Sequence, residues 1–106
     1  MAGYVRRLLA DGGPAGVDLF GRLYKVTRAG MQALEQAWVV RRSDDEVVRN
    51  AFLLSNDLAV PLFRPHLSQV AGIDPLSRDG LVRWSAEVVD VFSNGVFAAP
   101  EDEAGA

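Results

Sequence analysis

The stretch that decides the fold is VRNAFLLSNDLAVPLFRPHLSQVAGIDPLSRDGLVRWSAEVVDVFSNGVFA, residues 48–98. Its apolar residues recur every three or four positions, which is the periodicity of an α-helix, and the link Gly72-Ile73-Asp74-Pro75 divides them into two helices. No part of the chain alternates polar and apolar residues over the length of a strand. The chain is therefore predicted to be all-α, with its third and fourth helices over about residues 44–70 and 76–97.

Upstream of this stretch the same periodicity predicts helices over about residues 3–11 and 14–40. Pro14 suits the first position of the second helix, because a missing N–H is no loss there. Gly30 lies inside that helix and marks a point where it can bend or break. Ser43 and Glu46 have the spacing of a capping box, which predicts the start of the third helix.

The two prolines of the third helix, Pro61 and Pro65, raise the question of whether that helix is continuous. Each proline removes one N–H donor and disfavours α-helical geometry at the preceding residue. A kink or a short break between Leu58 and His66 is therefore predicted.

Length and composition predict one helical domain over residues 1–98, followed by a disordered acidic tail over residues 99–106. The net charge of -3 gives no overall attraction to nucleic acid, and the absence of cysteine excludes disulfides and thiol chemistry. No apolar run is long enough to span a membrane, and the N-terminal residues do not resemble a signal peptide. A cytoplasmic protein is expected.

The third and fourth helices have apolar side chains on two adjacent faces. In the fourth helix the apolar arc covers roughly 220°, where roughly 100° is enough for a helix on the surface of one domain. In the third helix a single solvent-facing line is predicted, formed by Asn50, Asp57, Arg64 and Ser68. Because a chain of this size cannot bury so much apolar surface alone, a homodimer is predicted.

Residues 48–98 resemble the C-terminal regulatory domain of the tetracycline-repressor (TetR) family of transcription regulators. The resemblance rests on Asn56-Asp57-Leu58-Ala59, Arg64-Pro65-His66-Leu67, Gly72-Ile73-Asp74-Pro75-Leu76 and the LVRWSAEVVDVF helix, and it extends more weakly over residues 14–45. It implies a non-enzymatic ligand-sensing and dimerisation module whose last two helices form a four-helix bundle with those of a second subunit. The expected interface residues are Leu58, Leu62, Leu81, Trp84, Val88 and Phe92.

Family members carry a DNA-binding head, and no helix-turn-helix with a basic recognition helix occurs in these residues. The chain alone is therefore not expected to bind an operator. The alternative interpretation is a stand-alone helical interaction protein, which dimerises with another regulator or sequesters it.

Arg49 and Asn56 lie seven residues apart and project onto an otherwise apolar side of the third helix. One hypothesis makes them the polar anchors of a pocket for a small apolar effector, lined also by Phe20, Tyr24, Met31 and Phe52. The other hypothesis is that they form hydrogen bonds across helices or to the dimer mate. This hypothesis is favoured, because buried polar groups in proteins nearly always have hydrogen-bond partners. The aromatic residues Trp38, Trp84, Phe92 and Phe97 are expected in the core or at an interface.

Nothing in the sequence indicates catalysis, a metal site or a cofactor. His66 is the only histidine, and it lacks both a second ligand for a metal and an acid that could orient it for catalysis. Phosphate-binding, dinucleotide-binding and hydrolase motifs are absent from the sequence. Asp44-Asp45-Glu46 could attract a cation, but helix capping is the favoured explanation of these residues.

Overall fold

The structure is a computed structural model that describes residues 2–98 and 100. These residues form four α-helices and no strand, which confirms the predicted all-α class with four principal helices. The helices are α1 (Ala2–Asp11), α2 (Pro14–Gln36), α3 (Glu46–His66) and α4 (Arg78–Asn94), and a π-helical turn, Leu67–Ala71, follows α3. The predicted tail, residues 99–106, lies outside the described residues except for Pro100.

The chain divides into two compact units, and the division falls within α3 between Phe63 and Arg64. In the first unit α1 packs closely on α2, because Gly16 has no side chain. A Cβ atom on Gly16 would lie 2.1 Å from the carbonyl oxygen of Leu8, well inside the van der Waals distance. Pro14 occupies the first turn of α2, as the sequence predicts.

Helix α2 continues through Gly30 and ends at Gln36, four residues before the predicted end at Val40. Its C-terminal end is a Schellman motif. The backbone N–H of Val39 donates to the carbonyl of Leu34 (2.9 Å), and that of Trp38 donates to the carbonyl of Glu35 (3.1 Å). Trp38 adopts φ 64°, the left-handed conformation that this motif requires. The left-handed conformation of Trp38 therefore ends the helix before residues 37–40, which were predicted to continue it.

The N-terminal cap of α3 is Asp45, and the predicted capping box of Ser43 and Glu46 is wrong by two residues. The Asp45 carboxylate accepts from the backbone N–H of Val48 at 3.1 Å, and the Ser43 hydroxyl accepts from the N–H of Asp45 at 3.1 Å. A carboxylate in this position also interacts favourably with the positive end of the helix dipole, an advantage that a serine hydroxyl lacks.

Of the predicted kink or short break between Leu58 and His66, the break is wrong, because α3 is α-helical through both Pro61 and Pro65. The kink stays a prediction. Each proline removes only its own hydrogen bond, and Asp57, whose carbonyl Pro61 leaves free, is an exposed residue with access to water. The departure from α-helical hydrogen bonding comes later, at Leu67–Ala71, and Gly72 ends it in the left-handed conformation with φ 69°.

In the second unit an ion pair holds the turn that leads into α4. Arg64 donates through Nε to Asp74 Oδ1 (2.8 Å) and through Nη2 to Asp74 Oδ2 (2.9 Å). The same carboxylate accepts from the backbone N–H of Leu76 at 3.0 Å. Ser77 caps α4 by accepting from the N–H of Gly80 at 3.1 Å. The predicted bounds of the fourth helix, 76–97, are therefore too wide, since the cap lies at Ser77 and Gly95 (φ 80°) ends the helix.

Gly80 and Pro75 show how tight this turn is. A Cβ atom on Gly80 would lie 1.7 Å from the carbonyl oxygen of Asp74, so no other residue fits there without a backbone shift. Pro75 is fully buried. Any distortion of the Arg64 and Asp74 pair would therefore be transmitted to the start of α4.

The pH dependence of stability is expected to report on Asp74. Hydrogen bonding to Arg64, and then to the N–H of Leu76, holds the pKa of the Asp74 carboxyl below its ordinary value. Because the folded-state pKa is lowered, this contribution to stability is present above the unfolded pKa of about 3.9 and is lost as the pH falls through the folded pKa. Urea unfolding of the wild type should therefore lose stability below about pH 5 more steeply than Asp74→Asn does.

Asp57→Asn is the matched control for this measurement, since Asp57 is exposed and forms no ion pair within residues 2–98 and 100. Its profile should follow that of the wild type. An equally steep loss of stability with falling pH in the wild type and in Asp74→Asn would contradict a stabilising role for the ion pair of Arg64 with Asp74.

Candidate functional site

Arg49, in the first turns of α3, connects three parts of the first unit. Its Nη1 donates to the backbone carbonyl of Arg41 at 2.7 Å, and its Nη2 forms a short ion pair with Glu35 Oε1. Glu35 lies in the last turn of α2, and Arg41 lies in the loop between α2 and α3. One guanidinium group therefore holds the end of a helix, the following loop and the start of the next helix together.

This ion pair is largely buried, with the side chains of Arg49 and Glu35 retaining 19% and 12% of their exposure. Burying two charges is costly, and good geometry with further hydrogen bonds offsets that cost. Arg49 meets this condition through both Nη atoms, whereas its Nε is buried without a hydrogen-bond partner in the described residues.

The second buried polar residue is Asn50, which retains only 3% of its exposure. The prediction that Asn50 belongs to the solvent-facing line of the third helix is therefore wrong, although Asp57, Arg64 and Ser68 are exposed as predicted. The Oδ1 atom of Asn50 has no hydrogen-bond partner among the described residues. Asn50 lies four residues before the buried Leu54, and residues at this spacing lie on the same side of a helix. Asn50 therefore belongs to the buried side of α3.

The six residues predicted to line an effector pocket all lie in the first unit, and their exposure differs. Phe20, Tyr24 and Met31 on α2 are partly buried, and the Tyr24 hydroxyl donates to the carbonyl of Val47 at 3.5 Å. Phe52 is 60% exposed and Asn56 is exposed. Arg49 is engaged by Glu35 and Arg41, as described above. The contacts of Arg49 with the Glu35 carboxylate and the Arg41 carbonyl agree with the hypothesis that Arg49 forms hydrogen bonds across helices.

The six residues predicted at a dimer interface are partly or largely exposed in the isolated chain. Leu58, Leu62, Trp84 and Val88 are partly buried, whereas Leu81 and Phe92 are 50% and 52% exposed. On α4 the partly buried residues Trp84, Val88 and Val91 follow one line at helical spacing. The remaining apolar side chains of α4 face solvent.

A cleft of about 1170 Å³ lies along the end of α2 and the loop before α3. It is lined by Gln32, Glu35, Gln36, Trp38, Val39, Val40, Arg41, Arg42, Ser43 and Glu46. Trp38, expected in the core or at an interface, is 93% exposed in the isolated chain. Sequence periodicity could not identify this cleft, because six of its ten lining residues come from the loop between α2 and α3, and three of these, Trp38, Val39 and Val40, were predicted to be helical.

His66 is the last residue of α3 and is exposed. In the part of the chain that the structure describes, no three acidic, histidine or cysteine side chains cluster as they would around a metal ion. No helix of the described residues is both long enough and apolar enough to cross a membrane.

Removing one partner of the buried ion pair should be strongly destabilising. Arg49→Met keeps an apolar side chain of similar length but leaves the Glu35 carboxylate buried without its partner, so the free energy of unfolding should fall by about 3 kcal/mol. Urea unfolding at one protein concentration measures the change. Adding Glu35→Met to this variant should recover most of the loss, because the unpaired charge is then gone.

Arg22→Met is the matched control, since Arg22 pairs with Asp18 on the exposed surface of α2 with 77% and 65% of their side chains accessible. It should change the unfolding free energy by less than about 1 kcal/mol. A loss in Arg49→Met no larger than that in Arg22→Met would contradict the connecting role of Arg49.

Comparison with known proteins agrees with this architecture. A family model described as a tetracyclin repressor-like, C-terminal domain matches residues 1–98. Comparison with curated proteins gives no match, and comparison with solved structures gives none either. The family match covers nearly the whole chain and coincides with the four-helix region. The chain therefore belongs to the family of tetracyclin repressor-like C-terminal domains.

Proposed function

We propose that this chain is a non-enzymatic regulatory and dimerisation module of a transcription regulator, and that residues 1–98 act as one domain. Membership of the family of tetracyclin repressor-like C-terminal domains supports this function. The net charge of -3 supports the further proposal that these residues do not bind an operator by themselves. A cytoplasmic location follows as part of the same proposal.

The observation that carries the proposal is the exposure of apolar side chains. Besides the fully buried Pro75, Leu54 at 5% exposure is the one large apolar side chain that is buried in the described part of the isolated chain. On α4 alone, Leu81, Val82, Val89 and Phe92 are at least half exposed. Apolar surface on this scale in a soluble protein marks an interaction site, because its burial is favourable by about 25 cal/mol per Å².

The proposed partner is a second copy of the chain, and the proposed interface consists of Leu58, Leu62, Leu81, Trp84, Val88 and Phe92. A symmetric dimer brings the same surface of two chains together, so one set of exposed apolar residues supplies both sides. Trp84 and Phe92 are the residues expected to contribute most, since aromatic side chains dominate the binding energy of interfaces. The dimer in this proposal is formed through the third and fourth helices.

The alternative function is a stand-alone interaction protein that dimerises with another regulator or sequesters it. The same exposed apolar side chains of α4 would then face a related but different chain. A monomeric wild type that forms a one-to-one complex with a purified regulator of the same family would favour this alternative.

We also propose that the module binds a small apolar effector in the first unit, near Phe20, Tyr24, Met31, Arg49, Phe52 and Asn56. The structure adds Asn50 to this set of candidates. A buried amide oxygen without a partner costs about 1–3 kcal/mol, and a hydrogen-bond donor on a ligand would remove that cost. Arg49 Nε offers a donor on the neighbouring residue. Asn50 is therefore the better polar anchor for the effector, whereas Asn56 is exposed and would contact the effector only at the edge of the proposed pocket.

The dimer is tested by sedimentation equilibrium at micromolar concentration. The wild type should be dimeric, and Leu81→Glu should weaken self-association by a factor of about a hundred or more, because a carboxylate would have to be buried at the interface. Val17→Glu is the matched control: Val17 is 64% exposed, and each residue is the fourth of its helix. A well-folded wild type that stays monomeric would contradict the proposed dimer.

The effector pocket is tested by a thermal-shift screen of small apolar compounds against the wild type. For a compound that raises the melting temperature, Asn50→Leu should abolish the increase, because the ligand loses its acceptor. Without any compound Asn50→Leu should be more stable than the wild type by about 1 kcal/mol, since an unsatisfied buried amide is removed. Asn56→Ala should keep most of the response.

The opposite ranking, with the response lost in Asn56→Ala and kept in Asn50→Leu, would make Asn56 the anchor. A response kept in both variants would exclude both side chains as anchors.

A further inference from the structure

Trp38 combines two features that are each unfavourable in the isolated chain. It is 93% exposed, and it has the one positive φ angle of a residue other than glycine in the described chain. A left-handed backbone costs roughly 1–2 kcal/mol for a residue with a Cβ atom, and glycine normally occupies this position of a Schellman motif. Strain of this kind occurs often at functional sites. The ring of Trp38 is the feature that a glycine could not supply.

The loop that carries Trp38 is held from both sides. Toward α2, the backbone N–H groups of Trp38 and Val39 are bonded to the last turn of the helix. Toward α3, Arg49 binds the carbonyl of Arg41. A loop fixed in this way presents its side chains in a defined arrangement and loses little further entropy when it binds a ligand.

The cleft beside Trp38 contains two arginines that have no carboxylate partner among the described residues. Arg41 and Arg42 line it, both are exposed, and neither forms an ion pair with a carboxylate in the part of the chain that the structure describes. Of the two lining carboxylates, Glu35 is neutralised by Arg49, which leaves Glu46. Asp45 already caps the N-terminus of α3. The arginines are therefore the groups available to an anion.

We propose that this cleft binds a small planar aromatic anion, such as an aromatic carboxylate. The ring of the ligand stacks on the indole of Trp38, and its carboxylate forms charge-assisted hydrogen bonds with the guanidinium groups of Arg41 and Arg42. An arginine can contact a carboxylate through two parallel N–H groups, which a lysine cannot do. Gln32 and Gln36, on adjacent turns of α2, supply neutral donors and acceptors along the same cleft.

This site is separate from the proposed effector pocket, since Arg49, Asn50, Phe52 and Asn56 do not line the cleft. It also does not depend on the proposed dimer, because none of the residues that line the cleft belongs to the proposed interface. The chemistry of the ligand differs as well: the pocket is proposed for an apolar molecule, whereas the cleft requires a negative charge.

The probe for the test is 1-naphthoate, titrated into the ¹⁵N-labelled wild-type chain and followed by NMR and calorimetry. The chain has two tryptophans, Trp38 and Trp84, and the spectrum of Trp38→Gly assigns their indole N–H signals. The Trp38 signal should shift and saturate while the Trp84 signal stays in place. The affinity for neutral naphthalene-1-methanol should be lower by a factor of about ten or more, because this alcohol lacks the charge that the arginines recognise.

Arg41→Gln and Arg42→Gln should each weaken the binding of 1-naphthoate by about tenfold. Arg28→Gln is the matched control, since Arg28 is an exposed arginine of α2 outside the cleft, and it should bind as the wild type does. Trp38→Gly should lose binding while its melting temperature rises, because glycine relieves the left-handed backbone. Trp38→Ala removes the ring and keeps the strain, so it should lose binding without that increase.

Three results would overturn the proposal. These are no shift of the Trp38 signal at millimolar 1-naphthoate, equal affinity for the neutral alcohol, and unchanged binding in both arginine variants. Asn50→Leu should keep the full Trp38 response, so failure of the effector pocket and failure of this cleft are distinguishable.

Discussion

The ion pair of Arg49 with Glu35 is the interaction on which the first unit depends. Among the described residues it is the one largely buried ion pair, and through the carbonyl of Arg41 it also fixes the loop between α2 and α3. This guanidinium group contacts the last turn of α2 and the loop that carries Trp38, and it belongs to the start of α3. Because two buried charges must keep their geometry to remain favourable, the loop has little freedom to rearrange.

The second constraint is the small number of apolar side chains that each unit buries by itself. Leu54 and Pro75 are buried, whereas the apolar faces of α4 are largely open to solvent. Local interactions hold the helices in place instead: the close contact of Gly16 with Leu8 in the first unit, and the ion pair of Arg64 with Asp74 in the second. These open apolar faces are the basis of the proposed association with another chain.

The sequence predicted the helices well and their ends less well. Periodicity located all four helices, since apolar residues at spacings of three and four have no other regular explanation. Helix ends depend on single hydrogen bonds for which neighbouring residues compete: Asp45 replaced Ser43 as the cap of α3, and a Schellman motif ended α2 at Gln36. The prolines misled for a similar reason, because each removes one bond from α3 and the remaining bonds keep the helix continuous.

The candidate sites show where sequence reasoning reached its limit. Arg49 was identified from its place on an apolar face, but only the folded chain brings Glu35 and the Arg41 carbonyl to it. Asn50 was predicted to be exposed, and it is buried in the folded chain. The sequence by itself determined the all-α class, the four helices and the family, because these depend on local periodicity and motifs. Only the tertiary structure decided which polar groups are buried and where Trp38 lies, because burial depends on contacts between residues distant in the chain.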